Sequence, residues 1–457
     1  MALVPLVLLF LLAPTPSLAS ILAEQLLYLQ TGEASPSSVA LGSSASSLPT
    51  ALIAQWHDAP IGLRAYNASA APLWSFYPGD TDSDTLYQVY GCSACASGAA
   101  VDAAVLRYSS AAATPQSNCT LFGLSSTAAR WAPAWTKFLP SCAAGTPSGG
   151  GIGPAHHAAL APSGGTLAAQ LLLNGECTLL ALDAATGTEL WRAPCRGGGL
   201  GVSFSADGRW VLATSSPSSS AAAHVFVFSA ATGAQRGGSG CPLGWDSPPA
   251  LSPAAEYIIT PAQNAVWVCV WSEEKGLYGD PLSVNLEAWG EEYWFPSDTA
   301  VIEAGGRVLA GTVFAASQQL NVGRMFAFDV GAAAASGGSA ASTVVDALLN
   351  DFRNTTSHGG GLGSIVGAGP YWFVGMLSGG DGALPTEFLF IPGGTGAPWG
   401  TPVWFNDGAG SVTSIDARLV ESNADFDVVH VLAGGTASSG GDGCGGQVYW
   451  HSISNSK

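Results

Sequence analysis

Apolar residues in this chain come in short unbroken runs rather than in alternation. Val225-Phe226-Val227-Phe228 and Val266-Trp267-Val268 are the clearest, and CTLLALD, RMFAFD and EFLFIP continue the series. Each run has the length of a strand and is apolar on both faces. A sheet with one wet face would alternate apolar with polar, so these runs predict sheets covered on both sides. Before each run comes a strand, a tight small-residue turn and a second strand. FSADGRWVLA (Phe204 to Ala213) is the best example. LAPSGGTLAA, LSPAAEYIIT, IEAGGRVLAG and IVGAGPYWFV hold equivalent places. After each run come a turn and an outer strand. One unit is therefore a four-stranded antiparallel sheet.

The hairpin at the end of the unit recurs in sequence as well as in pattern. LALDAATGTELW (Leu180 to Trp191) is followed by VFVFSAATGAQR (Val225 to Arg236), with Asp183 and Ser229 in register. A period of roughly 40 to 50 residues marks stacked supersecondary units. Units fall near 37–79, 84–141, 155–195, 200–243, 247–290, 297–348, 362–406 and 413–454. The second unit is irregular: CTLFGLSSTAARW (Cys119 to Trp131) fits, but the Ala-rich stretch before it does not. The last unit lacks an outer strand, and ILAEQLLYLQ (Ile21 to Gln30) is the obvious donor, as a strand or else a short helix. Radial stacking covers both faces of each sheet. The expected fold is all-β, a β-propeller of seven or eight four-stranded antiparallel blades.

The amino terminus sets the compartment. Ala2 to Ala13 is almost wholly apolar, and Ser17 and Ala19 stand where a signal peptidase requires small residues. The run is too short to span a bilayer as a helix. The expected organisation is a signal peptide over 1–19, an N-terminal segment with a candidate closing strand over 20–36, and one propeller domain over 37–457. The chain is expected to be secreted, without a membrane span. Asn67, Asn118 and Asn354 begin Asn-x-Ser/Thr triplets and are candidate glycosylation sites.

Charge changes the picture in one respect. Charged residues are 10% of the chain against about 25% in ordinary domains, as expected of sheets buried on both faces. The net charge of −18 excludes nucleic acid and anionic membrane as basic-patch partners.

Nine cysteines on a secretory route predict disulfides with one thiol left over, so a monomer is expected, or a disulfide-linked dimer through the odd cysteine. Cys177 and Cys195 lie on the two arms of one hairpin. A five-residue turn places Cys177 opposite Ala193, with Cys195 a diagonal neighbour that Pro194 could shift into range. Cys119–Cys142 and Cys241–Cys269 are local pairs of the same kind. Cys92 and Cys95 form a C-x-x-C in a Gly/Ala turn and are read as a structural disulfide rather than a redox site.

LALDAATGTELW resembles the repeat of pyrroloquinoline-quinone-type β-propellers, and FSADGRWVLA resembles the related tryptophan–aspartate-repeat type. The resemblance implies that Asp183, Thr186, Gly187 and Trp191 pack one blade against another. Quinoprotein dehydrogenases of this superfamily hold a quinone on a Trp floor under an adjacent Cys-Cys disulfide, with Ca²⁺ beside it. This chain has no adjacent Cys-Cys.

Other candidate chemistry is sparse. Asp80, Asp82 and Asp84 alternate in a loop and are the candidate Ca²⁺ ligands. The place of an EF-hand's sixth-position glycine holds Thr85, and that of its acidic twelfth holds Gly91. Glu273-Glu274 and Glu291-Glu292 read as solvated loop faces. His156 and His157 are adjacent and would point to opposite faces of a strand. The expected function is a secreted, non-catalytic scaffold for an extracellular protein or carbohydrate ligand, with no cofactor. The alternative is a diverged quinoprotein-type oxidoreductase, or another propeller enzyme with an active site in its channel.

Overall fold

In a computed structural model, the apolar runs become the third strands of a ring of sheets. The structure describes residues 21–30, 36–42, 50–55, 62–67, 69, 71–76, 85–91, 103–109, 118–124, 133–143, 157–195, 201–215, 224–236, 241, 249–262, 265–279, 281–285, 294–316, 323–336, 344–345, 360–378, 387–392, 403–406, 411–436 and 446–456. They form eight antiparallel sheets. The innermost strands, in blade order, are Pro36–Gly42, Thr85–Gly91, Ala158–Leu160, Val202–Phe204, Ala250–Leu251, Trp294–Ala304, Gly360–Ala368 and Ser411–Ser422. Each touches the next and the eighth touches the first. The fold is a β-propeller, and the count resolves to eight blades.

Ring closure uses the chain's two ends. Ile21–Gln30 is a strand, antiparallel to the third strand of blade 8, Gly446–Ser456, from Ile21 opposite Asn455 to Gln30 opposite Gln447. Blade 8 thus takes its outer strand from the amino-terminal end. The Ala-rich stretch of blade 2 is a regular second strand, Ala103–Ser109. Small side chains there are buried at a crowded seam: Ala103, Ala104, Val105 and Leu106 are all inaccessible.

Blade 3 shows why its strands are apolar on both faces. Leu179, Leu180, Ala181 and Leu182 are fully buried in sequence. Leu180 and Leu182 pack with Leu106, Leu121 and Leu139 of blade 2. Leu179 packs the other way, with Val211, Ala213 and Phe228 of blade 4. One strand therefore serves two seams, and each such side chain stabilises by about 1.5–3 kcal/mol.

The Asp-Ala-Ala-Thr-Gly turn is held by its own first residue. Thr186 donates from both backbone N and Oγ1 to Asp183 Oδ1 at 2.9 Å. Gly187 has φ +69°, and a Cβ there would lie 2.6 Å from the Trp135 ring. Trp135 of blade 2 lies on that glycine, and its Nε1 donates to Ala184 O at 2.7 Å. One blade on, Trp191 repeats the arrangement: its ring covers Gly233 and Nε1 donates to Ala230 O at 2.8 Å. Gly187 and Trp191 thus pack one blade against another, as the resemblance implied, and Asp183 and Thr186 hold the turn that Trp135 covers. The pattern match in blade 2 ran to Trp131, whereas the docking ring is Trp135, first residue of the outer strand Trp135–Leu139.

Among the described residues, the outer position of blade 4 holds a single bridge, Phe228 to Gln235, and no Trp. Arg236 fills the gap, with its guanidinium 4.3 Å from the Trp210 ring centre and 4.1 Å from that of Trp271. It also donates to Ala255 O of blade 5 at 3.0 Å.

Among the described residues three disulfides form: Cys119–Cys142, Cys177–Cys195 and Cys241–Cys269. The register of the second differs from expectation. Thr178 faces Pro194 and Leu179 faces Ala193, so Cys177 and Cys195 are directly opposite, with Cα atoms 4.9 Å apart. The turn pairs Leu182 with Glu189 rather than Thr188, and a bulge between Ala181 and Leu182 adds one residue more, so the pairing moves by two in all and Pro194 need not shift it. Cys92 and Cys95 lie outside the described residues. One short helix, Val330–Ala335, is capped by Asp329. Among the described residues no helix is long and apolar enough to cross a membrane.

Candidate binding site in the axial channel

The innermost strands enclose a cavity of about 430 Å³ lined by residues of all eight blades, so it lies on the propeller axis. Its wall is unequal. The first lining residue of blades 3, 4 and 5 is Ala158, Gly201 and Pro249. In blades 6, 7, 8, 1 and 2 it is Asp298, Ser364, Ser414, Ser38 and Gln88. One arc is small and apolar, the other polar. Asp416 of blade 8 adds a second carboxylate.

Backbone irregularity places the polar arc. In blades 1, 6, 7 and 8 the pairing register shifts immediately before Ser38, Asp298, Ser364 and Ser414. A bulge of this kind re-aims the following side chain. Three of the four then reach across to the next blade. Ser38 Oγ donates to Val89 O at 3.1 Å and accepts from Val89 N at 3.3 Å. Ser414 Oγ accepts from Val39 N at 3.2 Å. Asp298 Oδ2 accepts from Ile365 N at 3.0 Å, and its Oδ1 accepts from Thr299 N at 2.8 Å. Asp416 Oδ2 accepts from Leu41 N at 2.8 Å. These are struts between inner strands whose facing N–H groups would otherwise lack partners. Gln170 does the same one strand further out, its amide pairing with Thr214 N and O of blade 4.

Burial sets the protonation of the two carboxylates. Loss of water pushes Asp298 up to about 7, against the opposing pull of the Ile365 and Thr299 N–H groups. Asp416 is pushed up to about 6, opposed by the Leu41 and Ala417 N–H groups and by the Arg418 guanidinium. Deeper in blade 8, burial and the Arg418 charge hold His430 down at about 4. His430 is therefore neutral, and its Nδ1 accepts from Trp450 Nε1 at 3.2 Å. No Lys, Arg or His lies among the described residues that line the channel.

The residues singled out in the sequence stand elsewhere. Asp80, Asp82, Asp84 and Asn354 fall outside the described residues. Asn67 caps a turn, its Oδ1 accepting from Ser69 N and Ala71 N. Asn118 Oδ1 accepts from Ser141 N at 3.3 Å, beside the Cys119–Cys142 bridge. Glu273 and Glu274 are exposed, and His157 is buried edge-on against Tyr108. None of the described ones among them lines the channel. Asp298 and Asp416 were not singled out, because each is one polar residue among several in its strand, WFPSDTAVIEA and SVTSIDARLVES. The available signal was the acid in an inner-strand position, PSDTAVIE and SIDARLV.

No family model matches this chain, and no curated protein matches it in sequence. Solved structures do match. The quinohemoprotein alcohol dehydrogenase from Comamonas testosteroni is similar with a TM-score of 0.50 at 11% identity, over 94% of this chain and 76% of that one. BamB from Moraxella catarrhalis has a TM-score of 0.49 at 12% identity, over 94% and 99%. Sqt1 from Chaetomium thermophilum has a TM-score of 0.49 at 11% identity, over 94% and 99%. Likeness at this identity concerns fold alone: the chain resembles pyrroloquinoline-quinone-type propellers in its blades and in how they stack.

Proposed function

We propose that this chain is a secreted, non-catalytic propeller that serves as a binding scaffold for an extracellular protein or glycan. The observation that carries this reading is the use made of the channel's polar groups. Asp298, Asp416, Ser38 and Ser414 accept backbone N–H groups across blade seams. Their placement serves the ring, and fold by itself specifies no chemistry. The three disulfides and the apolar leader favour an oxidising compartment. Large apolar side chains stand in solvent on three successive outer strands, Leu73, Phe138 and Leu190, and offer contact area on the rim.

The test is expression in a secretory cell, sequencing of the mature amino terminus, and screening of the product on a glycan array and by cross-linking in extracellular fluid. Saturable binding that Phe138→Ser or Leu190→Ser weakens supports the scaffold. Alcohol oxidation on addition of Ca²⁺ and pyrroloquinoline quinone would replace it with the enzyme reading.

A further inference from the structure

Asn118-Cys119-Thr120 is an acceptor triplet for N-glycosylation that the fold encloses. Such triplets ordinarily stand in surface loops. Here Asn118 is exposed and immediately precedes the strand Cys119–Leu124, but the two residues after it are inside. Cys119 is inaccessible and Thr120 is 7% exposed. Thr120 is paired on both sides, with Arg107 in the second strand and Phe138 in the outer strand. Cys119 is bridged to Cys142, and Asn118 Oδ1 accepts from Ser141 N at 3.3 Å beside that bridge. The hydroxyl residue by which the triplet is read is therefore out of reach once blade 2 has formed. Asn67-Ala68-Ser69 differs. Asn67 begins a turn and Ser69 is exposed, so that triplet stays at the surface of its folded blade.

We propose that glycosylation of Asn118 competes with closure of the Cys119–Cys142 bridge, so that Asn118 is modified on only part of the chains while Asn67 is modified throughout. This rests on the secretory reading above, which supplies both reactions. In the first, Asn118 Nδ2 loses a proton and bonds to the anomeric carbon of a pyrophosphate-linked lipid oligosaccharide. The bond from that carbon to the pyrophosphate breaks, and the lipid pyrophosphate leaves. In the second, two thiols become a disulfide, and their two protons and two electrons pass to a disulfide-bearing oxidoreductase, which is left as a dithiol.

The order decides the product. A glycan on Nδ2 leaves Oδ1 free to keep its bond to Ser141, so transfer first still allows the bridge. Bridge and strands first close the acceptor. Cys142 follows Cys119 by 23 residues, about 1–5 s of synthesis at roughly 5–20 residues per second. Disulfide formation then takes seconds or longer. The acceptor is thus open for seconds and then shut.

The experiment is expression of the full chain in a secretory cell, with occupancy read on cellular and secreted protein together. Enzymatic release of the glycan turns each modified Asn into Asp, so peptide mass spectrometry reads Asn67 and Asn118 separately. Cys142→Ser keeps the triplet and removes the bridge. It should raise Asn118 occupancy by about twofold or more, to the level of Asn67. Dithiothreitol present during synthesis should do the same to the unaltered chain. Occupancy is set before folding ends, so a variant that misfolds still gives the reading. Cys177→Ser with Cys195→Ser, which opens the bridge of blade 3, should leave Asn118 unchanged. Full occupancy of Asn118 in the unaltered chain overturns the proposal. So does occupancy that neither Cys142→Ser nor dithiothreitol raises, or an equal rise in the blade 3 double variant. Those outcomes leave secretion standing. An uncleaved leader with Asn67 also empty overturns the secretory reading itself, and the proposal with it.

Discussion

Blades 2 to 4 and blades 6 to 1 meet the same demand, closing one blade on the next, with opposite chemistry. Around blades 2 to 4 the seam is closed at the rim: Trp135 and Trp191 lie on the turn glycines Gly187 and Gly233. Around blades 6 to 1 it is closed at the axis, where Asp298, Ser414, Asp416 and Ser38 take N–H groups from the next inner strand. The rim device gains by burying apolar area and using a donor the ring already carries. The axial device satisfies backbone groups but desolvates two carboxylates, visible in their raised pKa values. The difference teaches that a repeat can keep its geometry and its apolar seams while the added fastening changes from a ring on a turn glycine at the rim to polar bridges at the axis.

The comparison breaks most sharply at the rim. Trp135→Ala removes a ring pressed on Gly187 and its bond to Ala184 O, and is expected to cost about 3–5 kcal/mol in denaturant unfolding. Gly187→Val should be comparably damaging, because the position has positive φ and no room beside the ring. In the double variant the costs should be less than additive, since the clash disappears with the ring. Additive costs would mean that Trp135 and Gly187 act independently.

Replacing Cys177 and Cys195 by Ser opens the bridge in blade 3 across a sequence separation of 18. The expected loss is about 2–4 kcal/mol, read from the melting midpoint with the other two bridges intact.

The axial device should reveal itself through pH. Asp298 and Asp416 have folded pKa values of about 7 and about 6, above the roughly 3.9 of an unfolded Asp. The folded state therefore holds more protons between about pH 4 and pH 7, and stability falls as pH rises through the folded values. Melts from pH 5 to pH 8 should show a loss on the order of a few kcal/mol. Asp298→Asn should flatten that slope and gain relative stability at pH 8. A slope unchanged in both Asn variants would sink the assignment.

The smallest effect separates the two regions at their boundary. Arg236→Lys keeps a charge but loses the planar stack between Trp210 and Trp271, and is expected to cost about 1 kcal/mol. Arg236→Leu should cost more, through the lost bond to Ala255 O.

These contrasts also explain what could be read in advance. Trp191 and the Asp183-to-Gly187 turn were legible because local geometry demands them: an Asp to hold the turn and a glycine at positive φ. Trp135 escaped because it opens an outer strand that begins eleven positions after Leu124, the end of the strand it pairs with, and the blade 2 pattern matched Trp131 first. The Cys177–Cys195 pairing was visible, but its register depended on a bulge at Ala181/Leu182 that no residue type announces. Asp298, Ser364 and Asp416 were silent, since a Ser or Asp among the other polar and small residues of an inner strand carries no local signature.

By itself the sequence determined the unit, a four-stranded sheet apolar on both faces, together with its repetition, its turns and its local disulfides. These follow from side-chain periodicity and from conformations that particular residues favour, which act over a few positions. Tertiary structure alone decided that eight units close the ring, that Ile21–Gln30 completes blade 8, and that the axis holds two raised carboxylates. Those outcomes depend on how much each seam tilts one blade against the next. That is a sum over the whole circle, which no single stretch of chain encodes.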